Sequence, residues 1–266
     1  MSQPAPQSII LAAGMGKRMG SDLPKVLHEV AGRPMVAWVV DACLAVGCSR
    51  CVVVIGHKGE LVRDALLKEF SPEQVVFVEQ KEQLGTAHAA QMAEPLFTSP
   101  EVSSEASCDT FVLAGDGPLI RSQTLTAMLQ LHRERGAALT MATSVIDDPA
   151  GYGRVVRNAA GEFQCIVEQK DASAEQLAIR EVNPSYYCFN SRELFDVIRR
   201  IDNRNQAREY YITDAPAELL SQGRVVCVVD AVPPADVLSI NTPVQLAAVD
   251  AILRRRLDMS VAKGNA

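Results

Sequence analysis

The chain has 266 residues, of which 48% are hydrophobic and 22% charged, which is typical of a globular protein that can bury a substantial core. Its net charge of −6 argues against a nucleic-acid partner, which would favour a basic surface. The N-terminal residues MSQPAPQ have no basic start and no long apolar run, so we expect a cytoplasmic protein with neither a signal peptide nor a membrane-spanning helix.

Strand-like and helix-like segments alternate up to about residue 145. The strand-like segments are SIILAA, CVVVIG, VVFVE and TFVLAGD. Helices are expected from Pro34, around residues 59 to 69 and from Thr86. Pro34 suits the first position of a helix, and Thr86 after a glycine suits an N-cap. The alternation predicts a parallel sheet with helices on both faces.

The first predicted strand runs into a glycine-rich loop, LAAGMGKRMGSDLPK, which ends at Lys25. Gly14 and Gly16 permit positive φ and close backbone approach to an anion, while Arg18 and Lys25 add positive charge. A dinucleotide fingerprint would need a further glycine, and a P-loop would need Gly-Lys-Ser/Thr. Neither fits, so the pattern favours another kind of phosphate-binding loop, and a merely tight turn between strand and helix is the alternative.

Gly14, Gln80 and Asp116 fall at or just beyond the carboxyl ends of predicted strands. Ligands of parallel sheets bind at these ends, so the three residues could line one crevice. Asp116 follows the apolar run TFVLA, where an uncompensated carboxylate would be costly. The alternative for Asp116 is a turn residue before Gly117.

The pattern becomes less regular beyond Phe97. The polar segment SPEVSSEASC predicts a surface loop. From about Leu139, the segments LTMATSVI, GRVVRN, GEFQCIVEQ and YYCFN predict an antiparallel or mixed section that forms a lid over the crevice. Helices are then expected around residues 192 to 201 and 213 to 221, followed by the strand VVCVVD.

A last helix is expected to open at Thr242-Pro243. Its mostly apolar stripe should dock on the body of the protein through Val244, Ala247, Ala248, Ala251, Ile252 and Arg255.

The seven cysteines are dispersed rather than arranged as a disulfide frame, so we expect reduced and mostly buried thiols. Cys43, Cys48 and Cys51 raise the alternative of a structural zinc site, for which His57 is the nearest fourth ligand.

The segments LAAGMGKRM and DLPKVLH resemble the sequence pattern of the sugar-1-phosphate nucleotidylyltransferases. Six further segments occur in the order seen in bacterial N-acetylglucosamine-1-phosphate uridylyltransferases: QKEQLGTAHA, AGDGPLI, GYGR, IVEQKDA, EYYITD and SIN. The resemblance covers roughly residues 8 to 256. It implies an α/β nucleotide-diphospho-sugar transferase fold: a Rossmann-like mixed, mainly parallel sheet with helices on both faces and a β-rich sugar-binding lid.

The resemblance also implies one nucleotidyltransferase domain over residues 1–266. Its nucleotide-binding half would span about 8–145, its sugar-binding half about 146–240, and its C-terminal helix about 241–257. The acetyltransferase domain of the best-known family members has no counterpart here, so we expect no acetyl transfer and no trimerisation through such a domain. The oligomeric state stays open.

The implied reaction transfers a uridylyl group from UTP to N-acetylglucosamine 1-phosphate or a related sugar 1-phosphate, and it releases pyrophosphate. The attacking phosphate oxygen is already ionised, so positioning, cations and Mg²⁺ should supply the catalysis.

The resemblance assigns each group of site residues a role. The catalytic phosphate clamps are Arg18 and Lys25. The Mg²⁺ ligands are Asp116 and Asn241. The nucleotide-binding residues are Leu11, Ala13, Gly14, Gly16, Gln80, Gly85 and Thr86. The sugar-binding residues are Gly153, Glu168, Asn183, Tyr211 and Thr213. His88 should lie near the nucleotide but receives no role.

Several positions depart from the family pattern. Lys17 replaces a usual threonine, Ala114 replaces a usual aromatic residue, and Asn183-Pro184-Ser185 replaces the usual NTG. The last change removes one backbone N–H and one glycine from the sugar pocket, so the identity of the sugar is the most open point. Two alternatives remain: a nucleotidylyltransferase with another base or acceptor, such as a CTP enzyme, and a non-catalytic nucleotide-sugar sensor.

Overall fold

The computed structural model describes residues 4–98 and 107–264. Most of the predicted loop SPEVSSEASC, namely residues 99–106, lies outside this range. The strands are β1 (Gln7–Leu11), β2 (Glu29–Val30), β3 (Arg33–Pro34), β4 (Cys51–Ile55), β5 (Val75–Glu79), β6 (Asp109–Ala114), β7 (Leu139–Val145), β8 (Gly153–Arg157), β9 (Phe163–Val167), β10 (Glu181–Asn190) and β11 (Val226–Asp230). The α-helices are α1 (Met35–Ala45), α2 (Gly59–Leu66), α3 (Thr86–Gln91), α4 (Pro95–Thr98), α5 (Ser122–Arg135), α6 (Ala174–Leu177), α7 (Ser191–Ile198), α8 (Ala215–Ser221) and α9 (Pro243–Gly264).

The strands build a mixed, mainly parallel sheet in the order β11-β7-β10-β6-β1-β4-β5. β1 pairs in parallel with β4 and β6, β4 with β5, and β7 with β11. β10 runs antiparallel between β6 and β7. The predicted mixed sheet is therefore confirmed, and β10 is the strand that reverses its direction.

The predicted lid is wrong for two of its four segments. LTMATSVI contains β7 and YYCFN forms the second half of β10, and both strands lie inside the main sheet. Only β8 and β9 branch away, with β8 pairing with the start of β10. The physical reason is burial on both faces: consecutive residues such as Tyr187, Cys188 and Phe189 are buried, which requires packed layers on either side of the strand.

Alternate side chains of each strand point to opposite faces of the sheet, where they pack into two separate hydrophobic cores. Ile10 and its neighbours pack with α1, α5 and α9 on one face. Ile9 and its neighbours pack with α3, α7 and α8 on the other. This arrangement confirms the prediction of helices on both faces of the sheet.

Two helix starts differ by one residue from their predicted positions. Pro34 directly precedes α1 instead of opening it. Gly85, not Thr86, occupies the N-cap of α3. The Thr86 hydroxyl instead accepts a hydrogen bond from the backbone N–H of Ile212 at 2.9 Å. The capping prediction was wrong because this hydroxyl holds a distant turn rather than its own helix.

The predicted docking stripe of α9 is also wrong. Val244 is 80% exposed, and Ala247, Ala248, Ala251 and Arg255 face solvent. Of the stripe, only Ile252 packs against the core.

The face of α9 that docks carries Leu246, Val249 and Leu253. Polar contacts fix this face. Asp250 accepts a hydrogen bond from the backbone N–H of Ala31 at 2.7 Å, and Arg256 bonds the buried carboxylate of Asp236.

The seven cysteines are free thiols, and Cys43, Cys48, Cys51 and Cys188 are buried. In residues 4–98 and 107–264, no group of three or more His, Cys, Asp or Glu side chains is arranged to hold a metal ion. Within the same ranges, no helix combines the length and apolar character needed to cross a bilayer.

Candidate active site

A cavity of about 350 Å³ opens at the carboxyl ends of β1, β5 and β6. Eight of the predicted site residues line it: Leu11, Ala13, Gly14, Lys25, Gln80, Gly85, Thr86 and Asp116. The wall also includes Gln83, Ala114, Ser185, Tyr187 and Glu209. Gly14, Gln80 and Asp116 therefore share one crevice, because parallel strands deliver their ends to one edge of the sheet.

The glycine-rich loop after β1 uses positive φ at Gly16, where φ is 60°. Gly14 is not among the residues with positive φ, so the loop does not use the positive φ that this glycine permits. A Cβ on Gly16 would lie 2.6 Å from Cβ of Lys25. The loop therefore folds back so tightly that only glycine lets the stem of Lys25 pass.

The Lys25 side chain contacts both predicted metal ligands. Its ammonium forms an ion pair with the Asp116 carboxylate and donates to Oδ1 of Asn241 at 2.7 Å. Arg18 donates to the same Asn241 oxygen at 2.8 Å. The side chains of Lys25 and Asp116 are only 12% and 22% exposed. Residues from three distant segments of the sequence thus form one compact charged cluster beside the cavity.

The orientation of the Asn241 amide is fixed by its neighbours. Its nitrogen donates to the Ser239 hydroxyl at 3.2 Å, which leaves Oδ1 facing the cations. The backbone N–H of Ile240 donates to the Asp116 carbonyl at 3.1 Å. This backbone contact holds the segment before α9 against the end of β6, and so brings the Asp116 and Asn241 oxygens together.

The segment after β5 forms a second wall of the cavity. Gln80 is 4% exposed, and its amide nitrogen lies 3.1 Å from the carbonyl oxygen of Gly85 and 3.0 Å from Nδ1 of His88. Gln83 donates to the Ala13 carbonyl at 2.8 Å. Gly85 has φ 117°, and a Cβ there would lie 2.5 Å from the Tyr210 carbonyl oxygen. The QLGT segment therefore packs directly on the Tyr210 backbone and needs glycine.

The predicted sugar-binding residues form a group next to this cavity. None of them is among the residues that line it. Thr213 donates to Glu168 at 3.1 Å, and burial raises the pKa of Glu168. A Cβ on Gly153 would lie 3.5 Å from the same carboxylate. Desolvation, followed by the negative charge of Asp171, raises the pKa of Tyr211 to about 12.

Asn183 is connected to the cavity through Tyr187. Its side chain is buried, donates to the Tyr187 hydroxyl at 2.6 Å and accepts from the Ser185 N–H at 3.1 Å. Ser185 has φ 64°, so this serine keeps the left-handed conformation at the position where the family pattern has glycine. Both polar ends of Asn183 thus already hold partners within the protein.

Sequence reasoning missed Gln83, Ser185, Tyr187 and Glu209 as lining residues. A signal existed for Gln83 and Glu209, which lie inside the recognised segments QKEQLGTAHA and EYYITD. Ser185 stands out in the sequence only as a departure from the NTG pattern. Tyr187 reads as a core residue of an apolar strand, and nothing local distinguishes it.

Comparisons with known proteins agree with this architecture. The sequence is 43% identical to the bifunctional protein GlmU of Brevibacillus brevis over 250 residues, covering 94% of this chain and 52% of that protein. It is 44% identical to the bifunctional protein GlmU of Heliobacterium modesticaldum with the same coverage. The chain thus spans about half the length of these curated relatives.

Solved structures of UDP-glucose pyrophosphorylase share the fold. The apo form superposes with a TM-score of 0.74 at 16% identity, covering 95% of this chain and all of that one. The complex with UDP-glucose gives 0.72 at 17% identity, with the same coverage. The family described as MobA-like NTP transferase domain matches residues 8–217. The chain therefore belongs to the family of MobA-like NTP transferase domains.

Proposed function

We propose that this chain transfers a uridylyl group from UTP to a sugar 1-phosphate, with N-acetylglucosamine 1-phosphate as the first candidate acceptor. The observation that carries the proposal is the convergence of Arg18, Lys25, Asp116 and Asn241 beside a cavity at the strand ends. The names of the structural neighbours, UDP-glucose pyrophosphorylases, support uridine nucleotide-sugar chemistry on this fold.

The residues present fit a divalent metal ion. Carboxylate and amide oxygens of Asp116 and Asn241 both contact the Lys25 ammonium, so two oxygen donors already face one cationic group. Such donors suit Mg²⁺, which usually keeps few protein ligands and several from water and phosphate. When bound, Mg²⁺ would neutralise charge on the phosphate oxygens. Asp116 and Asn241 would hold it.

Arg18 and Lys25 are the groups that bind and orient the triphosphate in this proposal. Both side chains project from the glycine-rich loop toward Asn241, so their positive charges lie on the same side of the cavity. Negative charge spreads over the phosphoryl oxygens as the phosphate of the sugar attacks the α-phosphorus and pyrophosphate leaves. Fixed cations stabilise that charge, and the ionised nucleophile needs no strong general base.

The acceptor pocket is proposed to lie where Tyr187 joins the cavity to Asn183, with Gly153, Glu168, Tyr211 and Thr213 beyond it. Ala114 and Ser185 line the cavity at positions that depart from the family pattern. A small residue at position 114 leaves more room than the usual aromatic residue. This observation favours a related sugar 1-phosphate as the second candidate acceptor.

The first prediction concerns the reaction itself. With four NTPs tested against several sugar 1-phosphates, pyrophosphate release should be fastest with UTP and N-acetylglucosamine 1-phosphate or a close relative. EDTA should abolish release, added Mg²⁺ should restore it, and acetyl-CoA should have no effect. Faster release with CTP or ATP would contradict the base assignment. Tight binding of UTP without any release would indicate a sensor instead of an enzyme.

A further inference from the structure

His88 contacts the cavity wall from behind. It lies in the first turn of α3, half-buried, with Nδ1 at 3.0 Å from the amide nitrogen of Gln80. Gln80 lines the cavity, whereas His88 is outside the lining residues described for it. The histidine therefore acts on anything bound in the cavity only through the amide that it touches.

The orientation of that amide follows from chemistry. The Gly85 carbonyl oxygen, 3.1 Å away, can only accept a hydrogen bond, so the amide atom facing it must be the nitrogen. The second N–H of the same nitrogen points at His88. Nδ1 of His88 consequently accepts, which places the proton of the neutral ring on Nε2.

Two acceptors thus hold the nitrogen of Gln80, and Oε1 is left to face the cavity. Reversing the amide would point Oε1 at the Gly85 oxygen, where two acceptors would meet, and His88 could satisfy Oε1 only by moving its ring proton from Nε2 to Nδ1. An unsatisfied or repelled polar group in a buried position costs free energy. The pair of contacts therefore keeps Oε1, a hydrogen-bond acceptor, toward the ligand.

We propose that His88 is a positioning residue for base selection, which it sets by locking the Gln80 amide with its oxygen toward the nucleotide. This inference rests on the proposed function, because it takes UTP as the donor. Uracil presents an N3–H donor to such an oxygen, whereas cytosine presents a bare N3 acceptor. A freely turning amide could serve either base, so loss of the lock weakens discrimination without touching the phosphates.

The test compares the affinities for UTP and CTP, measured by calorimetry, in the wild type, His88→Leu and His88→Asn. Leucine fills similar space but accepts no hydrogen bond, whereas the Asn oxygen can replace Nδ1. His88→Leu should lower the preference for UTP over CTP about threefold to tenfold, the effect of one net hydrogen bond. His88→Asn should restore most of that preference. An unchanged ratio in His88→Leu, or no rescue by asparagine, would overturn the role.

The Gln80→Ala variant is the control in which His88 has no amide to hold. If His88 acts through Gln80, adding His88→Leu to Gln80→Ala should change the UTP/CTP ratio no further. A full additional loss in the double variant would contradict the inference. Pyrophosphate release measured in parallel separates the two claims: wild type that prefers UTP in binding but releases no pyrophosphate contradicts the proposed reaction and leaves the selection role supported.

Nitrogen NMR of the wild type gives a second measurement that needs no variant to fold. Nδ1 of His88 should be the unprotonated acceptor, and Nε2 should carry the ring proton. A proton on Nδ1 at neutral pH would overturn the proposed lock.

Discussion

At the scale of single residues, Asp214 is the group whose environment most directly predicts a pH effect. It lies among other acids, and desolvation followed by the charges of Glu168, Asp202 and Asp171 raises its pKa from 3.8 to about 6. The folded protein therefore binds this proton more tightly than the unfolded chain does. Stability from this group is fully present below about pH 4 and is lost as the pH rises through 6.

Asp214→Asn should remove that dependence. Asparagine resembles the protonated acid, so the variant should be more stable than the wild type at pH 7.5 and equal to it near pH 4. The gain should stay below about 1 kcal/mol, because the residue keeps part of its surface exposed and water screens the charges of its neighbours. Urea unfolding at both pH values measures it, with the exposed Asp64→Asn as control. A gain of the same size at both pH values would contradict the assigned cause.

Sequence alone could select Arg18, Lys25, Asp116 and Asn241, because each is a charged or amide side chain in a recognisable local pattern. It could not show that one ammonium contacts both Asp116 and Asn241, since that contact depends on how β6 and the segment before α9 meet. His88 had no spacing that suggested a partner. Its role became arguable only when the fold set it beside the Gln80 amide.

At the scale of elements, α9 shows how a periodic pattern can mislead. Its apolar and small residues occur around much of the helix, so more than one face satisfies helical spacing. Asp250 and Arg256 select the face by bonding the Ala31 backbone and Asp236. Both partners lie outside the helix, which is why the periodic pattern of the helix alone indicated the wrong stripe.

Paired substitutions on α9 distinguish the two faces. Leu253 is 4% exposed, so Leu253→Ala should destabilise the protein by about 2–4 kcal/mol. Val244 is 80% exposed, and Val244→Ala should change the free energy of unfolding by less than about 0.5 kcal/mol. Chemical unfolding of both variants decides the matter. A larger loss of unfolding free energy from Val244→Ala than from Leu253→Ala would show that the helix docks through the stripe predicted from the sequence.

The sequence also contained a helix that our prediction omitted. α5 buries Leu125, Met128, Leu129 and His132, which recur at helical spacing, and Gly136 follows its end in the left-handed conformation. This signal was local and could have been found. The direction of β10, in contrast, could not be predicted from a local signal. A buried apolar strand has no local feature that shows whether its neighbours run parallel or antiparallel.

At the scale of the whole molecule, the alternating pattern before residue 145 predicted both the parallel part of the sheet and the edge at which the cavity opens. The same rule made Gly14, Gln80 and Asp116 neighbours before any contact was known. The second half was less predictable, because β10 enters the sheet antiparallel between β6 and β7. In the second half, the sequence predicts where strands occur, whereas tertiary packing determines their order in the sheet.

The proposed role of Asp116 and Asn241 is to hold one divalent ion for nucleotidyl transfer. A double-mutant cycle across a Mg²⁺ titration tests this role most directly. Asp116→Ala and Asn241→Ala should each lower turnover by orders of magnitude, because the ion is expected to contribute several kcal/mol to the transition state. The double variant should be little worse than the poorer single variant, with melting temperatures close to the wild type. Additive losses with an unshifted Mg²⁺ dependence would contradict a shared ion.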